Sequence, residues 1–394
     1  MSILNKILKA IKDEIIRLSI DHKVFLVLII APLFLITLYG LEFSPHTVLG
    51  VRTIMIDKDN SSLSRKIVDG FRSSEKFQIS YYTDDEKSIH ESFCADKADA
   101  AIIIPKNFMK DVINKQASEV LVVANGNNMI ISNTILQGSL EIIETYSKGT
   151  TMKMLGTQGI TPETARNIAM PIGFSTRIWY NPTFNYSAYL VIGILALILQ
   201  QVTMMFIANS FVINRNTIGA HLISMKEALY KIIGITIVHF TINYINFALC
   251  LQVLINVFKM PFRGSMFDLM WFAAIFLLVI IALGIFLSLI CRSAVEATQY
   301  SIFFAVPSFL LSGYTWPRFM MITPIKMLSS IFPVTYFADP MRRIFLMGAD
   351  ISYFKMQILV LSCAALVLVP LSMFIYLIKA KYFSLRYKIP INED

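Results

Sequence analysis

YSAYLVIGILALILQQVTMMFIANSFVIN, Tyr186–Asn214, runs without one Asp, Glu, Lys or Arg. A helix needs about 20 apolar residues to cross the hydrocarbon core of a bilayer, so this stretch reads as a membrane span. Four more charge-free runs follow at short intervals: IIGITIVHFTINYINFALCLQVLINVF (232–258), LMWFAAIFLLVIIALGIFLSLIC (269–291), ATQYSIFFAVPSFLLSGYTW (297–316) and ILVLSCAALVLVPLSMFIYLI (358–378). A sixth, VFLVLIIAPLFLITLYGL (24–41), stands far ahead of them. A cleaved signal peptide is the rival reading of that first run, but about two dozen mixed-charge residues precede it and no Ala-x-Ala-like site follows. Composition agrees: the 394 residues are 56% hydrophobic and 15% charged, against about 25% charged in a soluble domain.

The net charge of +9 fits membrane topology better than nucleic acid, since no basic stripe with interleaved aromatics is present. Lys6, Lys9, Lys12, Arg17 and Lys23 precede the first span, and Lys379, Lys381, Arg386 and Lys388 follow the last. The positive-inside rule then places both termini in the cytoplasm, in keeping with an even number of spans. Residues 1–23 repeat Ile3, Ile7, Ile11 and Ile15 at four-residue steps beside Leu4 and Leu8, the pattern of an amphipathic helix lying in the cytoplasmic interface. Residues 379–394 form a cytoplasmic tail. Four scattered cysteines, Cys94, Cys250, Cys291 and Cys363, show neither a disulfide framework nor metal spacing.

Residues 42–185 are a different material. TVLGVRTIMID reads as a strand, DKDNSSLSRKIVDGFRSS as a turn and a capped helix, FQISYY as a strand, and DDEKSIHESFCAD as a helix. ADAAIIIP reads as a buried strand, NFMKDVIN as a short helix, EVLVVAN as a strand, and NNMIISNTILQGSLEIIETYSKG as a helix. Alternation of this kind builds a small α/β domain. The expected fold class is therefore an α-helical multi-pass membrane protein with six transmembrane helices, five of them in residues 186–378, and an inserted extracytoplasmic α/β domain.

Catalytic motifs are missing. The chain has no G-x-x-x-x-G-K-[ST] loop to cradle a nucleotide phosphate, no H-E-x-x-H and no G-x-S-x-G. His90-Glu91 opens like a zinc helix, but Cys94 stands where the second His belongs. DKDNSS from Asp57 looks like half a calcium loop without its glycine or terminal Glu, and a turn with a helix cap explains it. No acidic residue falls inside the six runs, whereas ion-coupled transporters place carboxylates at mid-membrane. The neutral polar side chains there include Gln200, Asn243, Asn246 and Gln299. Interhelical hydrogen bonding is their plain reading, and a substrate pathway the functional one. The lone His239 likewise reads as packed. If the protein moves a cargo uphill, the energy comes from elsewhere.

Several stretches, in this order and spacing, resemble type-2 ABC exporter permeases over nearly the whole chain. IDKDNSSLSRKIVDGF is similar to that family's DxDNSxxS strand and helix start, ADAAIIIPKNFMKDV to its buried strand, and RIWYNPTFNYSAYLVIGILALI to its R-x-x-Y-N-P run. LSGYTWPRFMMITPIKMLSSIFPVTYFADPMRRIFLMG resembles the signature after the fifth span. The resemblance implies a permease subunit, without catalytic or metal sites, of an ATP-driven exporter moving a lipophilic or amphipathic substrate out of the cytoplasm or inner leaflet of a bacterial inner membrane. It implies cytoplasmic ABC ATPase subunits that carry the ATP and Mg, a second permease in a homo- or heterodimer, and in some members a periplasmic adaptor protein. The cytoplasmic loop 215–231 would couple to the ATPase through Arg215, Asn216, Thr217, Gly219, Glu227 and Lys231. It departs from the family's E-x-G-T pattern. The alternative class is a membrane-anchored receptor or sensor with an extracytoplasmic ligand-binding domain.

Prolines punctuate 313–348, too apolar for a loop and too broken for a helix. Non-helical backbone at membrane depth survives only buried in protein or lining a cavity. The stretch is expected to re-enter the outer leaflet and, by the resemblance, to cap the exit as an outer gate formed by Pro317, Pro333, Thr335, Tyr336, Arg342 and Arg343. The two arginines would sit at headgroup level, snorkelling or pairing with lipid phosphate.

Overall fold

The protein is described by a computed structural model over residues 3–20, 22–42, 48–114, 116–169, 179–181, 186–220 and 225–387. The chain divides into two compact units, Met1–His46 with Trp179–Asp394, and Thr47–Ile178.

The first unit opens with two helices, α1 (Ile3–Ile20) and α2 (His22–Glu42). In α1, Ala10, Glu14 and Leu18 are buried along one stripe, while Leu4, Leu8 and Ile15 stay exposed on the neighbouring one. Such an apolar face beside a lysine-bearing one suits a helix lying in an interface.

The second unit is an α/β fold: β1 (Val51–Asp57), α3 (Ser62–Ser73), β2 (Phe77–Tyr82), α4 (Lys87–Cys94), β3 (Ala100–Ile104), α5 (Phe108–Ile113), β4 (Leu121–Ala124), α6 (Met129–Thr157) and α7 (Pro162–Ala169). The sheet order is β2-β1-β3-β4. β1 runs parallel to β2 and β3, with Val51 opposite Phe77 and Thr53 opposite Ala100, and β4 is antiparallel to β3. Every residue of β3 is buried. A strand covered on both faces needs a continuous apolar run rather than alternation, and AAIII supplies it. Met55, Ile102 and Ile104 pack on one face with Phe71 and Ile135, and Ile54, Ile56 and Ile103 pack on the other with Ile89. The DKDNSS turn is held by Asp57, whose Oδ1 accepts from the amides of Asp59 (3.1 Å) and Asn60 (3.0 Å). Ser61 then caps α3, accepting from the amide of Ser64 at 3.1 Å, which satisfies one of the donors a helix start leaves open.

The rest of the first unit is helical: α8 (Tyr186–Ala220), α9 (Met225–Gln252), α10 (Met266–Ile290), α11 (Ala294–Leu311), α12 (Thr323–Ser329), α13 (Val334–Arg342) and α14 (Lys355–Tyr387). Among the described residues, five stretches are long and apolar enough to cross a membrane: Tyr186–Asn214, Lys226–Val257, Met266–Ile290, Ala294–Leu311 and Ile351–Lys379. The expected first span, 24–41, falls in α2, a helix of 21 residues and so about 31 Å long, whose apolar part among the described side chains is Val27–Glu42. α10 is the hub. Phe272, Phe276, Leu277 and Ile280 on it are fully buried, and α8, α9 and α14 pack around it. α11 and α14 leave most of their apolar surface open, Phe303 and Leu366 being examples.

Candidate functional site

The most concentrated polar chemistry of the first unit lies where α1 crosses α8 and α9. Glu14 is only 3% exposed. The Arg17 guanidinium grips its carboxylate with two bonds, Nε to Oε2 at 2.9 Å and Nη2 to Oε1 at 2.6 Å. Ser210 of α8 donates to Oε1, and also accepts from Arg17. His239 of α9 places Nε2 at 3.1 Å from Oε1, and the Asn214 amide closes on Oε2 at 3.5 Å. Because the Ser210 hydrogen goes to the carboxylate, Nε2 carries the proton that His239 donates, and its buried Nδ1 has no partner among the described residues. Burial pushes the Glu14 carboxyl up, but the Arg17 and His239 contacts outweigh it and hold the group at about 2. A charge removed from water survives only when paired and fully hydrogen-bonded, and Glu14 meets both conditions.

Two further contacts fasten α1 to α9. Lys6 Nζ lies 3.0 Å from Glu227 Oε1, an exposed pair of small energetic weight. Gly234 lets the helices meet: a Cβ there would stand 2.6 Å from Ala10 Cβ. The segment expected to couple to an ATPase is thus more helical than a loop. Arg215, Asn216, Thr217 and Gly219 continue α8, and Glu227 and Lys231 begin α9. Residues 221–224 between them lie outside the described residues. Arg215 ends the apolar run without ending the helix, because Arg is a good helix former.

The 313–348 stretch folds as the short helices α12 and α13 followed by a wide turn, Arg343–Met347. Pro317 precedes a single tight turn, Pro324 opens α12, and Pro333 stands at the start of α13, where a fixed φ and a missing N–H cost nothing. Thr335 Oγ1 donates to the Ser329 carbonyl at 2.7 Å and Tyr336 OH to the Ser330 carbonyl at 2.9 Å, satisfying carbonyls that the end of α12 leaves open. Phe337 stacks flat on Phe276 of α10 at 4.2 Å.

Arg342 and Arg343 both bind Asp339, Arg343 Nε at 2.8 Å. The Arg342 guanidinium also lies 4.8 Å from the ring centres of Tyr189 and Tyr314. These two tyrosines exchange hydroxyl-to-carbonyl hydrogen bonds. A Cβ at Gly193 would lie 2.2 Å from the Tyr314 ring, so only glycine admits it. Arg342 is thus turned inward onto protein partners in place of the lipid phosphate expected of it.

The neutral polar residues are not gathered at one place. Gln200 Nε2 donates to Ser308 Oγ at 2.7 Å, joining α8 to α11. Asn243 and Asn246 line one crevice with Pro32, Leu199 and Phe247, whose volume of about 10 Å³ admits a water and little more. Asn246 also donates to the Leu28 carbonyl of α2 at 2.8 Å. Gln299 is exposed on α11.

Glu14 escaped sequence reasoning. Its signal was a carboxylate in the apolar stripe Ile7, Ile11, Leu18 of an amphipathic helix, facing a chain whose spans carry one histidine.

Residues 23–374 match the model of a family described as ABC-2 family transporter protein. The chain is 24% identical over 272 residues to a probable multidrug ABC transporter permease, YbhS, of Escherichia coli, an alignment covering 68% of this chain and 69% of that one. It is 22% identical over 297 residues to the probable multidrug ABC transporter permease YbhR of the same organism, covering 75% and 77%. A third relative, ABC transporter G family member 23 of Dictyostelium discoideum, is 22% identical over 331 residues, covering 82% of this chain and 45% of its own.

Proposed function

The chain belongs to the ABC-2 family of transporter proteins, and from that premise we propose that it is the permease of an ATP-driven exporter carrying a lipophilic or amphipathic cargo outward. It is a multi-pass membrane subunit of an ABC transporter. The observation that carries the proposal is the family match across 23–374, joined to relatives named as multidrug permeases.

On this reading α2 is the sixth span, both termini face the cytoplasm, and residues 47–178 lie outside the inner membrane. A separate ATPase chain binds ATP and Mg and rests against α1 and the α8–α9 turn, where Arg215, Asn216, Thr217, Gly219, Glu227 and Lys231 cluster in sequence. A second permease, identical or not, covers the apolar surface that α11 and α14 leave open. The α12–α13 stretch, with Pro317, Pro333, Thr335, Tyr336, Arg342 and Arg343, closes the outer end of the route. Gln200, Asn243, Asn246 and Gln299 border its wall, and the 47–178 unit offers a docking surface for a periplasmic adaptor.

The test is affinity purification of the tagged protein from its own membranes. An ABC ATPase should accompany it, and the pair should hydrolyse ATP in a vanadate-sensitive way. Recovery of the permease without any ATPase overturns the exporter and favours a receptor.

A further inference from the structure

We propose that the Glu14, Arg17, Ser210 and His239 cluster is a joint that makes α1, α8 and α9 move as one body, so that a displacement imposed on α1 by the ATPase reaches the membrane bundle. The proposal rests on the exporter reading only for the source of that displacement.

An interfacial helix held by apolar contact alone can slide, because burial is non-directional. α1 is held differently. Its one buried carboxylate receives donors from three helices: Arg17 on α1, Ser210 and Asn214 on α8, and His239 on α9. Withdrawing Glu14 would take the carboxylate from the Arg17 guanidinium and leave the fully buried His239 imidazole with only the neutral Ser210 hydroxyl, 3.1 Å from Nε2. Breaking a buried pair by removing one partner is strongly destabilising, so intermediate positions are costly and the joint is either closed or open. The Ala10–Gly234 backbone approach one turn away prevents rotation about that point. The stripe of Leu4, Leu8 and Ile15 remains exposed, so the joint holds one face while leaving the other to lipid or partner. Glu14 and His239 are on this view positioning residues for transport. Neither lies among the residues that border the route.

Spin labels at Lys12 on α1 and Ile237 on α9, both exposed, read the joint in the full-length protein purified with its ATPase. In the otherwise unaltered protein the distance distribution should be narrow and should not shift when the ATPase is trapped with ADP and vanadate. In Glu14→Gln it should broaden at rest and shift on trapping, because α1 then moves without α9. Ser210→Ala, a gentler change, should show the same shift in smaller degree if Glu14→Gln accumulates poorly. Glu14→Gln with Arg17→Gln should be less impaired than the sum of the two, since neither charge is left unpaired. A shift on trapping in the unaltered protein overturns the proposal. So do distributions in Glu14→Gln and Ser210→Ala that broaden without shifting, the mark of a merely structural contact, or that do not change. Failure to recover an ATPase at all would refute the exporter reading instead, and the resting distributions would still decide whether Glu14 locks α1.

Discussion

Arg342 shows how little of a side chain's role its charge specifies. Its guanidinium is bound edgewise by Asp339 and lies over the rings of Tyr189 and Tyr314 at 4.8 Å. A planar, weakly hydrated cation suits that geometry and a compact ammonium does not. Arg342→Lys should therefore lose about 1–2 kcal/mol of stability despite keeping the charge, read as a lowered thermal midpoint in detergent. An unchanged midpoint would show that the stacking contributes nothing. Glu14 makes a pH-dependent prediction. Its carboxyl ordinarily titrates near 4.5 and here is held at about 2. A group depressed in the folded state stabilises fully above its unfolded value and loses that stabilisation as pH falls toward the folded one. Protection of the α1 amides relative to their intrinsic exchange rates should thus hold from neutrality down to about pH 5 and fall progressively between 4.5 and 2, whereas Glu14→Gln should be weakly protected throughout. Thr335 and Tyr336 were singled out through a resemblance spread over many positions. Glu14 was not, because a single carboxylate on an amphipathic helix has the same sequence signature whether it meets water or an imidazole.

At the scale of elements, periodicity carried most of the fold. Charge-free runs located α8, α9, α10, α11 and α14, and the four expected strands correspond to β1 to β4. β3 was readable because complete burial leaves no polar position in AAIII. The ends of helices were harder, since an apolar run marks what lipid covers and not where helical hydrogen bonds stop. α8 accordingly runs on to Ala220, past the last apolar position of the span. The α12–α13 pair was foreseeable as a broken segment because five prolines, Pro307, Pro317, Pro324, Pro333 and Pro340, fall within it or just before it. That two side chains of α13 cap α12 was not, as it depends on the angle between them. Tyr336→Phe removes one of those caps and leaves the ring in place. It should cost about 1 kcal/mol and reduce export while an ATPase still copurifies in normal amount. Loss of the ATPase instead would place the segment at the cytoplasmic end.

For the whole molecule the sequence yields topology through charge, a weaker lever than hydropathy. Lysines and arginines flank both ends of the helical array, yet Arg318, Lys326, Arg342, Arg343 and Lys355 would fall on the opposite side. The structure removes part of that conflict, because Arg342 and Arg343 share Asp339 as a counter-ion, which offsets one of their two charges. Arginines neutralised within the protein carry little weight as topological signals, which act on charges free to meet the membrane surface. The termini should then be cytoplasmic and the 47–178 unit outside. The native cysteines test this without mutation of the scaffold. Cys94, in α4, is exposed, while Cys250 and Cys291 are buried, and Cys363 is exposed on an apolar span that a charged reagent does not enter. A membrane-impermeant maleimide should label the protein in intact cells, and Cys94→Ser should abolish that labelling. Labelling that appears only after the cells are broken would invert every assignment of side and place α1 and its Glu14 joint outside, beyond the reach of any cytoplasmic ATPase.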